Sequence, residues 1–322
     1  MTPIIKLENL SKKYGTFYAV NKLNLNIYKG EVFGLLGPNG AGKSTTILMM
    51  LGLTEPQSGK ALICGFDATT NPIQVKKRVG YLPDTLGFYE NRTGLENLIY
   101  IAHLNGLSEQ ITIQKAKELL IRVGLEKEMN KKVSTYSRGM KQRLGLADVL
   151  IKNPEIIILD EPTLGIDPKG VRDFLLLIRQ LSKEEHLTVL LSSHNLHQVQ
   201  QVCDRVGLFV DGNLIAEGDI PTLSKVLLKE QSYTVEIKLQ ESLQENSSII
   251  KTLLLKSEDI KKVTLQNDSL LIYCTNDVTS YIAKTLINAN FNMQYLHIKE
   301  YGLDDIYQRY FENKNENNKQ IA

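Results

Sequence analysis

The run Gly37, Pro38, Asn39, Gly40, Ala41, Gly42, Lys43, Ser44 and Thr45 constrains this chain more than any other stretch. It stands between an apolar run, Val32–Leu36, and a helix-like segment at 46–51, and its glycines let the backbone turn sharply between them. A strand that passes through such a loop into a helix aims successive N–H groups at one point beside the positive end of that helix. This geometry suits phosphate. Lys43 can reach β- and γ-phosphates, and the Ser44 hydroxyl is placed to ligate Mg²⁺.

The rest of the sequence supplies a sheet around that loop. Residues 22–28 alternate polar and apolar, as a strand with one wet face does, and Lys29-Gly30 punctuates them. Short apolar runs at 32–36, 156–159, 188–191 and 206–210 read as strands buried on both faces, with helical patterns between them. The expected class is therefore α/β, a mixed sheet with an antiparallel part. Between about 85 and 150 the pattern turns helical, with Ile113, Ala116, Leu120 and Val123 on one face, so an insertion of helices is expected there. Asp211-Gly212 between apolar pairs predicts a hairpin.

A first domain is expected over residues 1–230. Beyond it the pattern reads strand 233–239, helix 247–255, strand 260–265, strand 270–274, helix 278–289 and strand 293–298. That βαββαβ order predicts a small ferredoxin-like α+β domain over 231–313, with a last helix at 303–311 and a polar, disordered tail at 314–322.

Composition removes several classes. The 322 residues carry 38 basic and 36 acidic side chains, a net charge of +2, which offers no electrostatic footprint for nucleic acid, and none is expected as a partner. No stretch is apolar for long enough to span a bilayer, and the first residues lack a signal peptide's pattern, so a cytosolic chain is expected. Cys64, Cys203 and Cys274 lie far apart and read as buried thiols.

A second chemical centre appears at residues 156–161, an apolar strand ending in Asp160 and Glu161. Asp160 suits a Mg²⁺ ligand at a strand end, and Glu161 could polarise an attacking water, because phosphoryl transfer chiefly needs positioning and a base. Further along stand Tyr136-Ser-Arg-Gly-Met140, Leu164-Gly-Ile-Asp167 and Ser192-Ser-His194.

In that order these motifs resemble the ATP-binding-cassette ATPases, across roughly residues 4–220. The signature departs from LSGGQ at the first glycine and at the glutamine, and the YSRGM form looks like the drug-, ion- and polysaccharide-export branch. The resemblance implies a P-loop NTPase that binds ATP and Mg²⁺ and hydrolyses ATP. It implies that Ser137, Gly139 and Asp167 face ATP held by another subunit, that His194 contacts the γ-phosphate, and that Tyr14 stacks on adenine. Asp84 stands where the family often has a metal-binding glutamine, which makes it a third candidate for Mg²⁺ beside Ser44 and Asp160. Lys43, Glu161 and His194 are then the catalytic candidates. With no membrane span of its own, such a chain is expected to form a homodimer and drive an integral membrane permease from the cytoplasmic face. The alternatives are a soluble ATPase of the same fold acting on a ribosome or another macromolecule, and a regulatory, non-transport ATPase.

Overall fold

A computed structural model describes residues 2–299 apart from 196–197, 199–200, 220–221, 224–232, 241–242 and 267. The expected boundary at 230, the last helix at 303–311 and the tail lie outside the described residues. The chain divides into two compact units, Met1–Asp219 and Ile220–Ala322.

The first unit opens with an antiparallel hairpin, β1 (Ile5–Tyr14) and β2 (Phe17–Ile27), in a four-stranded sheet completed by β4 (Ser58–Ile63) and β5 (Phe66–Asp67). Alternation marked only 22–28 because β2 begins exposed and its inward residues come later, at Ala19, Val20, Leu23, Leu25 and Ile27. β1 escaped the pattern altogether, since register shifts between Leu7 and Lys13 break its period of two.

A six-stranded sheet forms the centre. Its order is β10-β9-β3-β8-β7-β6, with β3 (Val32–Leu36), β6 (Val79–Leu82), β7 (Ile156–Leu159), β8 (Thr188–Ser193) and β9 (Arg205–Val210) parallel, and β10 (Asn213–Gly218) antiparallel on the edge. The turn between β9 and β10 holds Asp211 at φ 48 and Gly212 at φ 77, the left-handed pair that an Asp-Gly hairpin demands. Every residue of β3 and β7 is buried, which is why these strands read as unbroken apolar runs. Helix α1 (Lys43–Met50) follows the glycine loop. Its Ile47, Met49 and Met50 share one core with Ile5 and Leu25 of the first sheet and with Phe33, Ile158 and Leu190 of the central one.

Helix α2 (Pro72–Arg78) leads into β6. The expected helical insertion contains α3 (Gly94–Leu104), α4 (Glu109–Arg122) and α5 (Arg138–Leu150). Helix α3 starts at a full capping box: Thr93 Oγ1 accepts from the Glu96 amide while the Glu96 carboxylate accepts from the Thr93 amide. Helix α6 (Pro168–Glu185) returns the chain to β8 and packs Val171, Phe174, Leu175, Ile178 and Leu181 inward.

The second unit is a four-stranded antiparallel sheet of order β12-β13-β11-β14, made of β11 (Tyr233–Leu239), β12 (Ile260–Gln266), β13 (Ser269–Cys274) and β14 (Met293–Lys299). Helices α7 (Leu243–Leu254) and α8 (Thr279–Asn288) complete a βαββαβ chain order, the ferredoxin-like pattern. Its core joins Val235 and Ile237 to Ile250, Leu254, Leu270, Ile272, Ile282 and Leu286. Of the three free cysteines only Cys274 is fully buried, whereas Cys64 and Cys203 are partly exposed, which corrects the expectation of three buried thiols. Burial still holds all three thiols protonated, at about 11 for Cys64, 12 for Cys203 and 11 for Cys274.

Candidate functional site: a phosphate loop facing three strand ends

Strands β3, β8, β7 and β6 lie side by side and run the same way, so the loops at their carboxyl ends open on one crevice. β3 delivers the glycine loop, β8 delivers His194, β7 delivers Asp160 and Glu161, and β6 delivers Asp84. A cavity of about 530 Å³ results, lined by residues Asn39 to Thr45 together with Asp84, Glu161, Leu164 and His194. The β1–β2 hairpin closes another side with Tyr14, Phe17 and Ala19.

Two of the loop's glycines, Gly37 and Gly42, are required by close approach. A Cβ on Gly42, whose φ is 106, would lie 2.0 Å from the Ala19 carbonyl oxygen, and one on Gly37 would lie 2.1 Å from that of Phe209. Gly42 is also the N-cap of α1 and has no side chain to offer, so the first amides of that helix keep their hydrogen-bonding capacity for a ligand.

Lys43 is buried, with 5% of its surface exposed, and a buried ammonium needs partners. Its Nζ donates to the carbonyls of Gly37, at 2.8 Å, and Pro38, at 3.1 Å, and lies 3.3 Å from Glu161 Oε1. That oxygen is buried and has no hydrogen-bond partner among the described residues, so the ammonium meets it as an ion pair without hydrogen-bond geometry. The other carboxylate oxygen, Oε2, lies 2.8 Å from His194 Nδ1. Glu161 itself sits at φ 47, a left-handed conformation that costs a β-carbon residue roughly 1 kcal/mol or more and is kept where surrounding structure over-determines it. Ser192 supplies part of that surrounding: its hydroxyl donates to Asp160 Oδ1 and accepts from the Glu161 amide at 3.0 Å. Asp160 is only 4% exposed. Burial, with Asp160 and Asp84 adding, pushes the Tyr81 phenol up to about 12, so it stays neutral behind the carboxylates.

The structure therefore gathers Tyr14, Asn39, Gly40, Ala41, Gly42, Lys43, Ser44, Thr45, Asp84, Glu161 and His194 around one cavity, with Gly37 and Pro38 reaching it through their carbonyls and Asp160 behind it. Ser137, Gly139 and Asp167 do not line that cavity. Ser137 caps α5 by accepting from the Met140 amide at 3.2 Å, and Asp167 caps α6 by accepting from the Gly170 amide at 3.1 Å. Sequence reasoning missed Phe17, Leu164 and the bridging role of Ser192. An aromatic in a hairpin and a hydroxyl at a strand end give no sign by themselves, although Ser192 stands beside the motif histidine.

The donors also fit a hard cation. Ser44, Asp160 and Asp84 offer oxygen, the chemistry Mg²⁺ selects, and the described residues hold no cluster of three or more acidic, histidine or cysteine ligands. A site with so few protein ligands suits Mg²⁺, which usually keeps waters and phosphate oxygens in its shell.

This crevice is that of a P-loop ATPase, and comparison with known proteins agrees. The family model described as "ABC transporter" matches residues 20–164. The bacitracin transport ATP-binding protein BcrA of Bacillus licheniformis is 37% identical over 298 residues, covering 85% of this chain and 96% of the relative. The linearmycin resistance ATP-binding protein LnrL of Bacillus subtilis is 38% identical, covering 67% of this chain and 69% of the relative. Among solved structures, the ATP-binding cassette MJ0796, seen as a dimer in a post-hydrolysis state bound to ADP and Pi, superposes with a TM-score of 0.61 at 28% identity. That match covers 67% of this chain and 98% of the other. The structure of cbiO1 from Clostridium perfringens, part of the complex cbiONQ, gives a TM-score of 0.64 at 27% identity and covers 80% and 96%. The chain belongs to the ABC transporter family, as an ATP-binding, ATP-hydrolysing subunit.

Proposed function

We propose that this chain is the motor of an antibiotic exporter, closing as a homodimer on two ATP and driving a separate integral membrane permease from the cytoplasmic face. One observation carries the chemistry: Glu161 is held between Lys43 and His194 at the mouth of a glycine loop. ATP engages that loop, and Lys43 exchanges the carbonyls of Gly37 and Pro38 for β- and γ-phosphate oxygens. Ser44, Asp160 and Asp84 would hold Mg²⁺, which would supply positive charge beside the phosphates. Glu161, released from the ammonium, orients and deprotonates the attacking water, while His194 fixes the carboxylate through Nδ1 and faces the γ-phosphate. Tyr14 offers its ring to the base, a contact that reads little of the base's identity.

Ser137, Gly139 and Asp167 complete the site across the dimer. Ser137 and Asp167 are exposed helix caps, Gly139 is half-buried in the first turn of α5, and all three lie outside their own chain's cavity, which supports this reading, as does the dimer formed by the MJ0796 cassette. Among the described residues no helix is long and apolar enough to cross a membrane, which agrees with a separate permease. Bacitracin and linearmycin in the relatives' names point to a toxic antibiotic as cargo. For the domain expected over 231–313 we propose regulation or dimer contacts. Truncation after Glu230 is expected to leave ATP affinity unchanged while altering dimer lifetime or transport.

The decisive experiment mixes a Lys43→Ala chain with a Ser137→Arg chain, each inactive alone. Heterodimers carry one doubly damaged and one intact site, so partial return of hydrolysis is expected. Full hydrolysis by Ser137→Arg alone would remove the shared site. Co-purification with a membrane subunit, and antibiotic survival lost with Lys43→Ala, test the transport role.

A further inference from the structure

Arg138 occupies the signature segment where the familiar motif has glycine, and nothing so far accounts for its side chain. It is the first residue of α5, directly after the Ser137 cap. The guanidinium turns back to its own chain: Nε donates to the Leu164 carbonyl at 2.8 Å, and Nη2 reaches the Asp84 carbonyl at 3.4 Å. Leu164 and Asp84 both line the nucleotide cavity, from the loops after β7 and β6. The Leu164 amide in turn donates to the Glu161 carbonyl at 3.1 Å. One side chain thus joins the start of α5 to two walls of the cavity, one of them a single turn from the catalytic carboxylate.

A second observation shows that the neighbouring loop is shaped around this side chain. Gly165 has φ 73, and a Cβ placed on it would lie 3.0 Å from both Cδ and Nε of Arg138. The glycine provides the turn and leaves the lane along which the arginine passes. Arginine suits the task because its fixed planar fork can serve two acceptors at once, whereas lysine offers a single point of attachment.

We propose that Arg138 is a positioning residue, a strap that makes the signature segment and the Glu161–Leu164 turn move together. Contact between Ser137 or Gly139 and a nucleotide on a second subunit is thereby felt at the first subunit's own cavity. The kinetic consequence rests on the shared-site reading above; the strap itself does not.

The test uses the full-length chain and separates the two. Hydrogen exchange of the nucleotide-free protein at residues 163–167 is expected to rise roughly five- to tenfold in Arg138→Ala, as suits the loss of one or two hydrogen bonds, and less in Arg138→Lys. ATP hydrolysis is expected to lose kcat by a similar factor while ATP affinity stays within about twofold, with Arg138→Lys between the two. Gly165→Ala, which keeps the arginine's charge but obstructs its path, is expected to reproduce the kcat loss, and the double variant to be no worse than Arg138→Ala alone. Unchanged exchange in Arg138→Ala overturns the strap, and so does full additivity in the double variant. A fall in kcat with unchanged exchange also overturns it, in favour of an arginine acting as a charge on the other subunit's phosphate. If ATP affinity itself collapses, Arg138 belongs to nucleotide binding and the proposal fails. Raised exchange with no ATP-driven dimer leaves the strap standing and removes the shared site instead.

Discussion

The two units of this chain treat charge in opposite ways. In Met1–Asp219 the interior holds Lys43 and Asp160, each about one-twentieth exposed, and Glu161 keeps a buried oxygen against the lysine in a left-handed backbone. In the second unit the buried polar side chains among the described residues are Thr234 and Ser269, both neutral, around an aliphatic core. A core made for stability alone avoids buried ions, because desolvation costs more than most pairs return. Such groups are retained where their charge does chemistry, so the contrast marks the first unit as the place where ATP is turned over.

The sharpest way to break that contrast is Glu161→Gln. The change is nearly isosteric and removes the carboxylate, so turnover is expected to fall by about 10²- to 10⁴-fold while ATP binding survives. Single-turnover hydrolysis beside equilibrium ATP binding checks it, and an ATP-bound dimer should accumulate on gel filtration; near-normal turnover would mean that the buried charge is structural. Leu270→Ala tests the other side. It opens a cavity in a fully buried position of β13 and is expected to cost about 2–5 kcal/mol in that unit, read by denaturant unfolding, with ATP affinity unchanged. A matching loss of ATP affinity would show that the second unit supports the site.

Lys43→Ala is expected to weaken ATP binding by about 2 kcal/mol, read by calorimetry, since charge-assisted bonds to phosphate are lost. Asp148 on α5 sharpens the comparison most finely. Burial pushes its carboxyl up to about 6, with Lys152 pulling weakly the other way. The folded chain therefore binds this proton more tightly than the unfolded chain. Its contribution to stability is present below the unfolded value near 4 and is lost as pH rises through 6. Asp148→Asn removes that loss, and is expected to raise stability at pH 7 by about 2–3 kcal/mol and to do little at pH 4, as thermal melts at the two pH values would show. Equal effects at both would mean that Asp148 finds a compensating partner.

Much of the site could be read in the chain because its constraints are local. Gly42 and Gly37 cannot carry a Cβ, Lys43 and Ser44 follow at fixed spacing, and Asp160 and Glu161 end a strand whose burial on both faces leaves an unbroken apolar run. The Asp211-Gly212 turn and the βαββαβ order of the second unit were legible for the same reason: turn chemistry and hydrophobic period act over a few residues. Irregular or short elements were not. β1 hides behind its register shifts, and β5 is two residues long, too short for any period to show.

Tertiary structure alone decided which distant residues meet. The parallel order of β3, β8, β7 and β6 sets His194 Nδ1 against Glu161 Oε2 across 33 positions of sequence, and lets the Ser192 hydroxyl bridge Asp160 and the Glu161 amide. Nothing in the neighbourhood of Arg138 announces that it will bond to Leu164, 26 residues on, or that it will run past Gly165, where a Cβ would lie 3.0 Å from its Cδ and Nε. A sequence records what each residue can do within its own turn or strand. Sheet order and chain crossing determine what it touches, because hydrogen bonds and ion pairs act over a few ångströms and are indifferent to separation along the chain.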